Sequence, residues 1–289
     1  MTVNKACILA AGRGTRFLPY TKAVSKEMIA VVDRPAISLI VDEVISSGIK
    51  DILIVISHDK EQIIKYFSPD QDLQNFLIAK NKPILAKLVQ EIGDRANISY
   101  VFQSVANGSG EAVKLAKEFC DNSPCVILNG DDAIYNANKT ATTQLIECYE
   151  KYNHTVIGVQ QVTRQQISAY ASCNIVASFA KAHLVDQVIE KPCEQQIKSL
   201  LAPLGRYVIT PDFFNYLDKI TPANNGELQF TDAINLQANK VGIYAYEFEG
   251  RRYDLGDKLG YLEAVVEYAL RDNLLGEPFA RYLKTLNNK

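Results

Sequence analysis

Short, uninterrupted apolar runs alternate with amphipathic stretches through the first half of the chain. The apolar runs have the length of strands and lie at 6–9, 51–57, 98–102 and 125–132. The amphipathic stretches repeat apolar residues at helical spacing and lie at 36–48, 59–67, 72–92 and 109–119. Strands that are apolar on both faces are typical of a parallel sheet covered by helices. The alternation therefore predicts an α/β fold with a Rossmann-like mixed, mostly parallel sheet flanked by helices.

The second half of the chain is less regular. Its pattern predicts strands near 154–161, 185–190, 205–209 and 242–248, and a helix over 257–272. No repeat, low-complexity segment or linker divides the 289 residues. We therefore predict a single domain over 1–289, with C-terminal helices from about 257 to 289 that pack on it or lie at an interface.

The composition excludes several classes of protein. Hydrophobic residues make up 47% and charged residues 22%, and the net charge of −2 provides no general attraction to nucleic acid or to a membrane surface. No apolar run reaches the roughly 18 residues that span a bilayer. The six cysteines are scattered and form no C-x-x-C motif, which is typical of reduced cytoplasmic residues. We expect a cytoplasmic protein that binds neither nucleic acid nor membrane.

The loop after the first strand concentrates positive charge. Residues 1–34 carry six cationic side chains against two carboxylates. Within the loop, glycines allow backbone N–H groups to approach phosphate oxygens and cations neutralise them; these residues are Gly12, Gly14, Arg16, Lys22 and Lys26. Position 17 is Phe, so the dinucleotide fingerprint is incomplete, and the P-loop motif is absent. The loop indicates a site for a polyphosphate that is cleaved; the alternative is a solvated basic loop.

Carboxylates follow two of the apolar segments. Asp131 and Asp132 end the run 125–132, and Asp254 precedes the helix predicted at 257–272. Carboxylate oxygens are the ligands that Mg²⁺ requires. The alternatives are a turn at Asp131 and a helix cap at Asp257.

Two further stretches carry polar groups suited to ligands. Glu190 and Lys191 lie at the end of a predicted strand. At such a position a Glu can accept hydrogen bonds from sugar hydroxyls, and a Lys can bridge phosphates. Gln103 and the small residues at 108–110 can contact the edge of a planar base. The alternatives are a surface ion pair before a proline turn and a plain turn into a helix.

Together these stretches resemble the sugar-1-phosphate nucleotidyltransferases. Seven motifs stand in the order found in that family and cover nearly the whole chain: ILAAGRGTRFLPYTKAVSKEM, GSGEAV, NGDD, VIEKP, GRYVITPDFF, ELQFTDAI and YDLGDKLGYLEAVVEYALR. The resemblance implies the nucleotide-diphospho-sugar transferase fold. The T-K and K-E-M form of the first motif implies uridylyl transfer from UTP to glucose 1-phosphate, giving UDP-glucose and pyrophosphate. A sister enzyme with another base or sugar, and a non-catalytic regulatory homologue that binds nucleotide sugars, are the alternatives.

The resemblance also implies a role for individual residues. Those implied for the nucleotide are Leu9, Ala11, Gly12, Gly14, Thr15, Gln103 and Gly108. Those implied for catalysis are Arg16, Lys26 and Lys191, and those implied for Mg²⁺ are Asp131 and Asp254. Those implied for the sugar are Glu190, Gly205, Ala171 and Asn174. Because members of the family are commonly dimers or tetramers, a homo-oligomer is also implied.

The sequence departs from the family pattern at two places. Ser25 stands before Lys26 where the family usually has Pro. In the stretch 168–176, SAYASCNIV, the family has Tyr-Gly followed by two apolar residues. Either Ala171 or Asn174 therefore puts a side chain where the family has glycine in its sugar-binding segment.

Overall fold

The computed structural model describes residues 2–223 and 226–286. Its strands are β1 (Lys5–Leu9), β2 (Ala30–Val31), β3 (Arg34–Pro35), β4 (Asp51–Ile56), β5 (Asn97–Phe102), β6 (Cys125–Asn129), β7 (Asp132–Tyr135), β8 (Val156–Gln161), β9 (Ala171–Phe179), β10 (Ala182–Glu190), β11 (Leu201–Ile209), β12 (Ile243–Glu247) and β13 (Arg251–Asp254). Its helices are α1 (Ala36–Ser46), α2 (Glu61–Phe67), α3 (Gln71–Ala79), α4 (Pro83–Asp94), α5 (Ser109–Lys114), α6 (Lys117–Cys120), α7 (Ala141–Tyr152), α8 (Phe214–Leu217), α9 (Phe230–Val241), α10 (Lys258–Arg271) and α11 (Gly276–Leu286).

In the described part of the chain, nine strands form one sheet in the order β5-β4-β1-β6-β11-β8-β12-β10-β9. The apolar strand β1 lies parallel to both β4 and β6, with Cys7 opposite Leu53 and Ile127. Strand β11 runs antiparallel to β6 and β8, and β10 runs antiparallel to β12 and β9. The mixed, mostly parallel sheet flanked by helices that the sequence predicts is confirmed.

At the centre of the sheet, both faces are buried under helices. Alternate side chains of β1 point to opposite faces, as they must in a strand. Ala6 and Ile8 join an apolar cluster with Ile40 of α1, whereas Cys7 joins a second cluster with Val113 of α5. Burial on both faces explains why residues 6–9 of the strand are all apolar and why it can be recognised in the sequence.

The carboxyl end of β6 differs from the sequence prediction. The predicted strand 125–132 ends at Asn129, and the Gly130 N–H donates a hydrogen bond of 2.9 Å to the Leu9 carbonyl. Asp132 then begins β7, which pairs with β13 in a separate two-stranded sheet, where Asp132 lies opposite Asp254. The turn brings a carboxylate-rich segment above the end of the main sheet.

The β9–β10 ribbon bends toward β11. The pairing of β10 with β9 shifts register between Leu184 and Val185 and again between Val185 and Gln187, which is the effect of a β-bulge. Near the start of β9, the Ser172 hydroxyl accepts from the Lys198 N–H at 2.9 Å and donates to the Ser199 carbonyl at 3.0 Å. The ribbon end that carries Glu190 therefore lies beside the segment that leads into β11.

The C-terminal helix α10 packs on the small sheet. Ala264 is fully buried in a cluster with Ala133 of β7 and Tyr253 of β13. Leu259 of the predicted helix faces outward and is 65% exposed. Residues 287–289 of the predicted C-terminal segment lie outside the described residues. Among 2–223 and 226–286, no helix is both long and apolar enough to cross a membrane.

A buried ion pair links α1 to the centre of the sheet. The Arg206 guanidinium of β11 is fully buried and donates to the Glu43 carboxylate at 2.6 Å and to the Asp132 carbonyl at 2.7 Å. Glu43 also accepts from the N–H and hydroxyl of Thr142 at the start of α7. The pair thus ties α1, α7, β7 and β11 together beneath Asp132.

We predict that Arg206→Met lowers the free energy of unfolding by about 3–5 kcal/mol, because Glu43 then stays buried without a countercharge. Arg281→Met is the matched control, since Arg281 and Glu277 form an Arg–Glu pair at 2.7 Å that is exposed. Breaking that pair is expected to have little effect. Urea unfolding of both variants provides the measurement, and equal losses would contradict the importance of burial.

Candidate active site

A cavity of about 470 Å³ opens at the carboxyl ends of β1 and β6. Several residues proposed from the sequence line it together: Leu9, Ala11, Gly12, Lys26, Gln103, Gly108 and Asp131. A neighbouring cavity shares Ala11 and Gln103 with the first and has Thr15 in its wall. Strand ends of a mostly parallel sheet are where ligands bind in this class of fold, so the location agrees with the general rule.

Gln103 and Gly108 contact each other in the wall of this cavity. Gln103 is 8% exposed, and its amide donates to the Gly108 carbonyl at 3.2 Å. Gly108 has a φ of 98°, and a Cβ there would lie 2.4 Å from the Leu228 carbonyl oxygen. Only glycine therefore allows the loop to approach Leu228 this closely.

The basic loop faces the carboxylates directly. The Lys26 ammonium lies 2.5 Å from Asp131 Oδ2, and each side chain is 16% exposed. The Arg16 guanidinium lies 4.0 Å from Asp131 and 3.8 Å from Asp254. Burial acts to raise the pKa of Asp131, but the nearby Lys26 and Arg16 charges outweigh it and hold that pKa below its usual value. Asp131 is consequently an anion at neutral pH.

The carboxylates Asp131 and Asp254 converge on one point. A Cβ built on Gly256 would lie 2.6 Å from Asp131 Oδ2 and 3.1 Å from Asp254 Oδ1. Burial and the neighbouring Asp132 and Asp131 carboxylates raise the pKa of Asp254, so an added cation would stabilise its charged form.

These two residues fit a magnesium ion. The described residues contain no group of three or more His, Cys, Asp or Glu side chains that could enclose a metal. Two converging carboxylates are nevertheless what Mg²⁺ commonly takes from a protein, since phosphate oxygens and water fill its other positions.

Arg252 holds several acidic groups together, and the sequence analysis did not identify it. Its Nε donates to Asp132 Oδ1 at 2.6 Å, and its Nη1 donates to the Tyr170 hydroxyl at 3.1 Å. Its Nη2 lies 3.6 Å from Asp254 Oδ2. A lone Arg belongs to no motif, so its place just before Asp254 was the only available signal.

Glu190 and Lys191 lie at the end of β10. Burial raises the pKa of Glu190, although a hydrogen bond from Thr231 and the Lys191 ammonium oppose this shift. Lys191 is exposed and has a φ of 44°, which is uncommon for a residue other than glycine. Its N–H donates to the Tyr170 carbonyl at 2.7 Å. Strain of this kind is common at functional sites.

Ala171 and Asn174 lie in different surroundings. Ala171 pairs with Glu190 across the ribbon and is 4% exposed in the core. Asn174 pairs with Gln187, three residue pairs further along, and its amide donates to the Asp186 carboxylate at 2.7 Å. Of the two candidates, the structure brings Ala171 beside Glu190 and does not bring the Asn174 side chain there.

Gly205 brings the backbone of β11 against Asp132. Its φ is 64°, and a Cβ there would lie 2.5 Å from Asp132 Oδ2 and 3.1 Å from Asn129 Nδ2. The residue therefore lies against the end of β6 and the start of β7.

Comparison with known proteins identifies the family. The sequence model of the nucleotidyl transferase family matches residues 5–270. The chain belongs to this family. It is 41% identical over 285 residues to a UTP–glucose-1-phosphate uridylyltransferase of Staphylococcus epidermidis, with 99% of each chain covered. The resemblance inferred from the seven motifs is confirmed.

Solved structures of other nucleotidyl transferases share the fold of this one. A UTP-bound UGPase from Acinetobacter baumannii superposes with a TM-score of 0.90 at 31% identity, covering 98% of this chain and 99% of that one. A UDP-glucose pyrophosphorylase complexed with UDP-glucose gives a TM-score of 0.85 at 32% identity, covering 94% and 100%.

In this nucleotidyl transferase, Gly205→Ala is predicted to reduce nucleotidyl transfer by about tenfold to a hundredfold. The new Cβ displaces Asp132, and a misplacement of about 1 Å near reacting groups can cost a hundredfold. Gly48→Ala is the matched control, because Gly48 also has a positive φ, of 86°, but a Cβ there meets nothing within 4 Å. The rate of pyrophosphate release of each variant is the measurement. Comparable losses of this rate in both variants would mean that backbone strain alone is responsible.

Proposed function

We propose that this protein transfers the uridylyl group of UTP to glucose 1-phosphate and releases pyrophosphate and UDP-glucose. The proposal rests above all on one observation: the basic loop directly contacts the converging Asp131 and Asp254 carboxylates beside a cavity. Two anionic substrates must meet in such a reaction, and the arrangement supplies cations for them. The relatives named above, which include a uridylyltransferase, support the same reaction.

The nucleotide end of the cavity suits a pyrimidine base. We assign Leu9, Ala11, Gln103 and Gly108 to the uracil. Gln103 and Gly108 lie in the cavity wall and offer amide groups that can read the base edge. Position 108 must be glycine for its loop to approach Leu228 this closely.

The phosphate groups lie along the basic loop in this proposal. Gly12, Gly14 and Thr15 wrap the triphosphate with backbone N–H groups, and Arg16 lies along it. A sugar-phosphate oxygen attacks the α-phosphorus, the bond from that phosphorus to the bridging oxygen breaks, and pyrophosphate leaves. No covalent bond to the protein is needed, so the chain acts by positioning the substrates and by stabilising charge.

Three cations share the stabilisation of charge. Lys26 and Arg16 stabilise the departing pyrophosphate, and each such contact supplies about 3–4 kcal/mol to the transition state. Lys191 bridges the sugar phosphate and the α-phosphate. Its exposed side chain and its fixed backbone bond to Tyr170 support this role.

We assign Asp131 and Asp254 to a bound Mg²⁺. When bound, the ion neutralises charge on phosphate oxygens and orients them. The chain contributes the two converging carboxylates, and Arg252 Nη2 lies 3.6 Å from Asp254 Oδ2.

The sugar lies between the β9–β10 ribbon and β11 in this proposal. The Glu190 carboxylate accepts hydrogen bonds from glucose hydroxyls, and its hydrogen bond from Thr231 keeps it oriented. Gly205 and Ala171 line the subsite through their backbones. We leave the Asn174 side chain out of this subsite, because its amide donates to the Asp186 carboxylate at 2.7 Å.

A homo-oligomer is part of the proposal. Leu262 of α10 and Tyr282 of α11 are 57% and 56% exposed, and Leu274 between these helices is 85% exposed. An oligomer would bury these apolar side chains. A cytoplasmic location stays a prediction.

The reaction is tested by measuring pyrophosphate release with each of four nucleoside triphosphates against several sugar 1-phosphates. We expect the highest turnover with UTP and glucose 1-phosphate in the presence of Mg²⁺. A preference for dTTP or for another sugar phosphate would favour a sister transferase. Binding of UDP-glucose without pyrophosphate release from any pair would favour a non-catalytic homologue.

A further inference from the structure

Lys60 is a buried cation next to the basic loop, and the proposed reaction does not use it. It follows β4, directly before α2, and is 2% exposed. Its ammonium donates to the carbonyls of Ala10 and Gly12, each at 2.6 Å, and to the Glu27 carboxylate at 2.7 and 2.9 Å. An ammonium has three hydrogens, so these three partners use all of them.

The two carbonyl contacts fix the orientation of two peptide groups. The peptide bonds after Ala10 and Gly12 are trans, and in a trans peptide the carbonyl and the following N–H point in opposite directions. The N–H groups of Ala11 and Arg13 therefore point away from Lys60. Within 2–223 and 226–286, neither N–H donates to a protein acceptor, and both residues line the main cavity.

Glu27 connects the same lysine to a catalytic cation. It is fully buried and precedes Met28 in the turn that also carries Lys26. Lys60 thereby joins the start of the basic loop to the turn from which Lys26 reaches Asp131. A buried pair of this kind is weak evidence for a role in stability, because apolar residues of similar volume often serve equally well.

We propose that Lys60 is a positioning residue for the nucleoside triphosphate. By holding the carbonyls of Ala10 and Gly12, it presents the N–H groups of Ala11 and Arg13 to the nucleotide. Through its bond to Glu27, Lys60 also fixes the position of the turn that carries Lys26 relative to the same loop. The inference rests on the proposed function in taking a nucleoside triphosphate as the ligand.

The double variant Lys60→Met/Glu27→Leu separates positioning from stability. The single change Lys60→Met would leave Glu27 buried and unpaired, which destabilises a protein for reasons unrelated to the ligand. The double variant removes both charges together, so we expect it to fold. We predict that its Kd for UTP rises at least tenfold, while its KM for glucose 1-phosphate changes less than threefold.

The matched control is Lys5→Met. Lys5 also donates to backbone carbonyls, those of Phe119 at 2.7 Å and Cys120 at 3.4 Å, but it lies at the opposite end of β1. We expect its Kd for UTP to equal that of the wild type. A second variant, Lys60→Arg, keeps the ion pair and so protects folding. Since a planar guanidinium cannot direct three hydrogens from one nitrogen at these acceptors, its Kd should also rise about tenfold.

Calorimetry of the wild type with ATP, CTP, GTP and UTP comes first, and the nucleotide bound most tightly becomes the probe. If that nucleotide is not UTP, the proposed function fails while Lys60 is still tested. If folded double and Lys60→Arg variants bind the probe within threefold of the wild type, the positioning role is overturned. If the double variant does not fold, the Lys60→Arg result decides. If the wild type binds none of the four, both proposals are overturned.

Discussion

The ion pair between Lys26 and Asp131 joins the two halves of the site. Lys26 belongs to the loop after β1 and Asp131 to the turn after β6, and only 16% of each side chain is exposed. Arg16 extends the contact to Asp254, and the Arg252 guanidinium lies close to both Asp254 and Asp132. Positive and negative groups therefore alternate across the cavity. A triphosphate is an anion and a divalent metal ion is a cation. The triphosphate can therefore replace a carboxylate beside the cations of the loop, and the metal ion can replace a cation beside the carboxylates, without leaving a buried charge uncompensated.

The part of the fold that was predictable from the sequence is the part buried on both faces. Strands β1 and β4 are apolar over residues 6–9 and 52–56 because helices cover both sides of the sheet there. The strand β9 lacks this signature, since Val176 and Phe179 are 56% and 49% exposed. The boundary between β6 and β7 was missed for another reason: the predicted strand 125–132 ran through Gly130 and Asp131, where the chain turns between two separate strands.

The predictability of the site divides in a similar way, between residues that are close in sequence and contacts between residues that are far apart in sequence. The loop from Gly12 to Lys26 was predictable because its glycines and cations are close in sequence, and the structure brings Gly12 and Lys26 to one cavity. Arg252 and Asp132 are 120 positions apart, and Lys60 and Gly12 are 48 positions apart. Such contacts arise from the fold and leave no local pattern. For the same reason, the sequence could not decide between Ala171 and Asn174, which the pairing of β9 with β10 separates.

The most direct test of this account is a crystal structure of the protein with UTP and Mg²⁺. The account predicts that the triphosphate lies against residues 11–16 and that the Lys26 ammonium contacts a phosphate oxygen instead of Asp131. The Asp131 and Asp254 carboxylates would then face the metal ion. A triphosphate bound elsewhere, with the 2.5 Å contact between Lys26 and Asp131 still intact, would contradict it.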